Sequence, residues 1–166
     1  MQITIGFSSP KNKLMPFAVA IEKLENRKYS HVYIKYNEVN YNLPMVLQAS
    51  HGIVHEILFE KFIKTNNLIK EYSFNLNQQE TLEFEAFRIQ VLGSKYGWLQ
   101  ILAIFWRKLT HLQNPMSKAI TTFICSELGA FFLTKIKKIE IKSNLNDITP
   151  SDLDIILMEL KNGKIS

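Results

Sequence analysis

Segments in which apolar residues alternate at every second position crowd the first 75 residues and helical spacing dominates after that, and this change of period limits the fold more than any other feature of the chain. Ile3 and Ile5 alternate with polar neighbours, so residues 2–7 are expected as a strand. Pro16 is placed to open a helix, where its missing N–H costs little, with Phe17, Val19, Ala20, Ile21 and Leu24 on the apolar face and an end near Asn26. Residues 30–36 are β-branched and aromatic with period two, and residues 45–49 and 53–57 give two more strands separated at Gly52. Phe59, Phe62 and Ile63 suggest a short helix, and residues 69–74 alternate again. Beyond them, Asn77-Gln78-Gln79-Glu80 has the chemistry of a helix cap and leads into Leu82, Phe84, Phe87, Ile89 and Val91, with Gly93 as the stop. Helical spacing returns over residues 98–109 and 123–136, and Thr149-Pro150-Ser151-Asp152 opens a last helix over 153–160. Strands crowd the first half and helices the second, so the expected class is α+β, with residues 1–166 forming one domain.

A chain of 166 residues with 46% hydrophobic and 21% charged residues can bury a sizeable core, which excludes a disordered or fibrous chain. A single cysteine, Cys125, excludes an internal disulfide framework and zinc sites of the multi-cysteine kind. No histidine pair has the spacing of a helical zinc motif, and no cofactor is expected. The first residues lack the basic start and apolar run of a signal peptide, and the longest apolar run, 98–106, is half the length of a membrane span. The expected location is cytoplasmic, with export by another route left open. The net charge of +5 raises the question of nucleic acid, but it comes from 17 lysines and only three arginines, Arg27, Arg88 and Arg107. Bidentate recognition of phosphate and guanine favours arginine, which argues against a nucleic-acid partner.

Few residues can carry chemistry. Cys125 falls in the first turn of a helix, where unpaired backbone N–H groups and the helix dipole favour a thiolate and can hold an oxyanion. The plain alternative is a small buried hydrophobe. A reactive thiol needs a base, and the candidates are His31, His51, His55 and His111. His31 opens a strand whose alternation groups it with Tyr33 and Lys35, opposite Val32, Ile34 and Tyr36. His51 sits in a turn beside Gly52, His55 alternates with Val54 on a solvent face, and His111 lies in a loop near Asn114-Pro115. Spacing alone does not choose among them.

In chain order, Ser30-His31-Val32-Tyr33-Ile34, Val46-Leu47-Gln48-Ala49, Gly93-Ser94-Lys95-Tyr96-Gly97-Trp98 and Ile124-Cys125-Ser126-Glu127-Leu128 resemble the circularly permuted branch of the NlpC-type papain-like cysteine hydrolases. The likeness runs from Gly6 to Leu157 and includes the closing Thr149-Pro150-Ser151-Asp152-Leu153. It implies a small antiparallel sheet or half-barrel packed against helices. It also implies Cys125 as nucleophile, His31 as base and then acid, and Gln48 as the group that orients the imidazole. The family often has glutamate at that third position, and glutamine can accept from the imidazole N–H without neutralising an imidazolium. His51 is the alternative third member. Tyr96 and Ser126 are implied as substrate or oxyanion contacts. The activity implied is hydrolysis of an amide, in a peptide, a peptidoglycan stem or an N-acyl compound, through an acyl-enzyme, in a protein of bacterial or phage type. The alternatives are acyl transfer between lipids at the same site, or a catalytically silent module that binds a partner in the old cleft.

Overall fold

The computed structural model describes residues 1–12, 16–39, 41–97 and 122–163. Five strands form an antiparallel sheet in the order β5-β1-β2-β3-β4: β1 (Gln2–Pro10), β2 (His31–Asn37), β3 (Pro44–Ser50), β4 (Ile53–Leu58) and β5 (Asn66–Asn75). Two two-residue strands extend the β4 edge, β6 (Lys95–Tyr96) antiparallel to β4 and β7 (Thr122–Phe123) parallel to β6. The helices among the described residues are α1 (Pro16–Glu25), α2 (Phe59–Thr65), α3 (Gln78–Val91), α4 (Cys125–Lys135) and α5 (Pro150–Lys161). This is the α+β class that the two periods predict. The helical spacing over 98–109, and His111, lie outside the described residues.

Strand alternation divides the sheet into two faces, and both are covered. Ile3, Ile5 and Phe7 of β1, Val32, Ile34 and Tyr36 of β2, and Leu47 and Ala49 of β3 form one buried face. Leu128, Ala130, Phe132 and Leu133 of α4, Leu153 and Leu157 of α5, and Phe84, Phe87 and Val91 of α3 close over it. On the other face Tyr33, Val46 and Phe62 form a smaller cluster with Ile57 and Phe59, so α2 roofs that side. β1 is buried on both faces, and its small residues reflect this. A Cβ at Gly6 would lie 2.1 Å from Cζ of Tyr33, so only glycine lets that ring lie against the strand.

α4 lies close to the sheet for a similar reason. A Cβ at Gly129 would lie 2.6 Å from Leu153 Cδ2 and 3.5 Å from Val32 Cγ1, so the missing side chain lets α4 settle between α5 and β2. Both capping sequences act as caps. Asn77 accepts from Glu80 N–H while Glu80 accepts from Asn77 N–H, and Thr149 and Asp152 repeat the exchange at α5, with Pro150 in the first turn. α5 is further anchored by Asp154, a buried carboxylate that accepts from Tyr29 O–H at 2.7 Å, Tyr72 O–H at 2.6 Å and Lys70 at 2.7 Å. Ser151 N–H donates to Glu25 and Arg27 Nε donates to Ser151 Oγ, which ties the end of α1 to the start of α5.

Candidate active site

β2 pairs with β1 from Ile3 opposite Tyr36 to Ser8 opposite His31, but with β3 only from Ile34 onward. Its first three residues therefore have a ladder on one side only; there the His31 ring lies on the face roofed by α2, 6.2 Å from the Phe62 ring, whereas the Cys125 side chain packs in the cluster under the other face. Cys125 is the first residue of α4 and 5% exposed. The backbone N–H groups of Val32, Ser126 and Cys125 itself act on its sulfur and favour the thiolate. The thiol thus lies against the backbone of the residue that follows His31, while its side chain belongs to the apolar cluster under the first face.

Two effects compete at that sulfur. The three N–H groups favour a thiolate, as expected at a helix start, but burial is the larger effect and pushes the thiol up to about 11. At neutral pH Cys125 is a thiol. His31 is half-buried, and loss of water around the ring lowers its imidazole to about 4, helped by His55 and His51 and opposed by the hydrogen bond to Gln48. The resting groups are therefore both neutral, in place of the thiolate and imidazolium that the helix start alone suggests.

Gln48 Oε1 lies 2.9 Å from Nε2 of His31. With Nε2 donating to that oxygen, Nδ1 carries the ring's lone pair. Among the described residues Nδ1 has no hydrogen-bond partner, and no hydrogen bond joins the His31 ring to the Cys125 thiol. Gln48 occupies the position next to the imidazole; His51, in a left-handed turn (φ 51°), has its Nδ1 3.1 Å from Ser50 Oγ. The carboxamide nitrogen of Gln48 continues to Nε2 of His55 at 3.2 Å, a contact that the alternation of His55 with Val54 does not suggest. His55 opposes Gln48 in the β3–β4 ladder, so the pairing register is the signal that would have found it.

Ser126 is fully buried and its hydroxyl donates to Ile148 O at 2.5 Å, so only its backbone N–H is turned to the thiol. The side chain of Tyr96 lies outside the described residues; its backbone forms β6. Glu127 closes the first turn of α4 by accepting the N–H of Ile124 at 2.8 Å. The hydroxyls of Ser8 and Ser30 are buried without a partner among the described residues, one opposite His31 in the ladder and the other its chain neighbour. Each such group costs roughly 1–3 kcal/mol, and costs of this kind gather where function holds a site against stability.

No group of three or more His, Cys, Asp or Glu that could hold a metal ion occurs among the described residues. None of the helices described is long and apolar enough to cross a membrane. A scan of family models finds none that matches this chain, and no curated protein matches it.

Proposed function

We propose that the chain is a thiol hydrolase of the permuted papain-like kind, which cleaves an amide bond through an acyl-enzyme on Cys125 with His31 as base. The observation that carries this reading is the meeting of a helix-start thiol with the backbone of residue 32, one residue from an imidazole whose Nε2 is held by Gln48 and whose Nδ1 is unpaired among the described residues. The motif order His31, Gln48, Cys125 supports the same reading.

The chemistry follows from a neutral pair. As Sγ bonds to the substrate carbonyl carbon, its proton passes to Nδ1 of His31, and the oxyanion is met by the first-turn N–H groups that now reach the sulfur. The imidazolium then gives its proton to the leaving amine, and the C–N bond breaks to leave a thioester on Cys125. Water, deprotonated by His31, hydrolyses the thioester and restores the thiol. The substrate class is an amide in a peptide, a peptidoglycan stem or an N-acyl compound.

A second reading, a silent module of the same fold, draws on the 5% exposure of Cys125 and its raised thiol. Incubation of the native protein with an acyl-type covalent probe at neutral pH, followed by mapping of the label, separates the two. Labelling of Cys125 that is lost in His31→Ala supports the hydrolase. Labelling only after denaturation overturns it in favour of the silent module.

A further inference from the structure

We propose that His55 is a positioning residue that sets the tautomer of His31 through the carboxamide of Gln48. Three contacts in series carry this inference: Ile53 O to His55 Nδ1 at 3.4 Å, His55 Nε2 to Gln48 Nε2 at 3.2 Å, and Gln48 Oε1 to His31 Nε2 at 2.9 Å. A backbone carbonyl only accepts, so it selects the His55 tautomer with its proton on Nδ1. Nε2 of His55 is then an acceptor and takes an N–H of Gln48. That contact turns the amide oxygen toward His31, which donates from Nε2 and keeps the lone pair on Nδ1. Each link allows one sense of hydrogen bonding, and a carbonyl at one end thereby places a base at the other. Gln48 is 5% exposed and has no competing partner among the described residues, so the two imidazoles decide which way its amide lies.

Protonating His55 reverses the chain. Both of its nitrogens then donate, Gln48 must turn its oxygen toward His55, and its N–H groups face His31, which moves its proton to Nδ1. The titratable groups around His55 are few. His31 lies across Gln48, and the ring of His51 is centred 6.4 Å away. β3, paired with β4 on one side, carries no charged residue. β6, paired on the other, brings Lys95 opposite Ile53. α2, packed on β3 and β4, carries Glu60, Lys61 and Lys64. Glu56, next on β4, lies on the opposite face and is paired with Arg88 of α3, which also holds Glu85.

The use of this tautomer in catalysis rests on the hydrolase reading above; the tautomer itself does not. Ring 15N shifts of the histidines in the full, labelled chain report which nitrogen is protonated. At pH 7.5 wild-type His31 is expected with its proton on Nε2. His55→Glu, which can only accept, keeps it there, and His55→Leu brings the Nδ1–H form to a comparable population. On titration of the wild type, the His31 proton is expected to change nitrogens as His55 protonates, a readout that needs no variant to fold. His31 found with its proton on Nδ1 at pH 7.5, a tautomer indifferent to His55→Leu, or one indifferent to His55 protonation overturns the proposal. Failure of the acyl probe to label Cys125 overturns the hydrolase and leaves the tautomer result standing.

Discussion

The backbone N–H of Val32 favours the thiolate of Cys125, so the residue next to His31 acts on the acidity of the thiol. The same placement buries the sulfur among apolar side chains, and burial outweighs the N–H groups in setting its acidity.

Alkylation by a small reagent such as iodoacetamide, which reports only the thiolate, is therefore expected to be slow at neutral pH. With the thiol at about 11, the native rate should keep rising about tenfold per pH unit well past the point where an ordinary cysteine levels off, near 8.5. At pH 8 the folded protein should react roughly a hundredfold more slowly than the unfolded chain. A native profile that levels off at or below pH 8.5 would show that the helix start prevails over burial.

Gln48→Glu tests the third position. A carboxylate 2.9 Å from His31 Nε2 favours the imidazolium that the native amide does not neutralise, so the ring should rise from about 4 toward the ordinary range near 6.5. Titration of the His31 Cε1 proton by NMR measures it directly. An unmoved titration would mean that Gln48 does not govern the ring.

The strands were readable because their alternation is strict, and the caps because Asn77 and Thr149 stand where their side chains can reach the third N–H of each helix. α3 shows where reading by apolar content fails. Leu82 and Ile89 count with Phe84, Phe87 and Val91 among the apolar residues that mark the helix, yet they are 62% and 68% exposed while the other three are buried. Only Phe84, Phe87 and Val91 have the three- and four-residue spacing of one stripe. His55 fails differently. Alternation correctly sets it opposite Val54, but that face is not simply solvent, because Phe62 of α2 roofs it and Gln48 lies across the ladder. Ladder register and roof are both long-range, and no local pattern encodes them.

Asp154→Ala should be the most damaging single change outside the site. Burial opposes ionisation of this carboxyl, but hydrogen bonds from Lys70, Tyr72 and Tyr29 outweigh it and hold it below the ordinary range. Truncation leaves two tyrosine hydroxyls and an ammonium without their acceptor, a loss on the order of 3–5 kcal/mol. Because the folded carboxyl is the stronger acid, its contribution is present above the unfolded value and lost as pH falls through the native one. Urea unfolding at pH 7 and pH 3 should show the gap between wild type and Asp154→Ala narrowing in acid. An equal gap at both values would mean that the network holds α5 without its charge.

Glu127 gives the opposite sign. It is 1% exposed, and burial raises its carboxyl to about 8, reinforced by Asp147 and only partly offset by the N–H of Ile124. A folded value above the unfolded one, near 4.5, means full stability below pH 4.5 and progressive loss as pH rises through 8, since the unfolded chain releases a proton that the fold retains. Glu127→Gln keeps a side-chain oxygen for Ile124 N–H and has no proton to lose. The variant should therefore gain on the wild type steadily between pH 4.5 and 8, reaching a difference on the order of 5 kcal/mol, and gain nothing further above that window. Chemical denaturation of both proteins across the range measures the difference at each pH. A difference that stays flat with pH would mean the carboxylate is already ionised in the fold, and one that grows in acid would reverse the sign assigned to its burial.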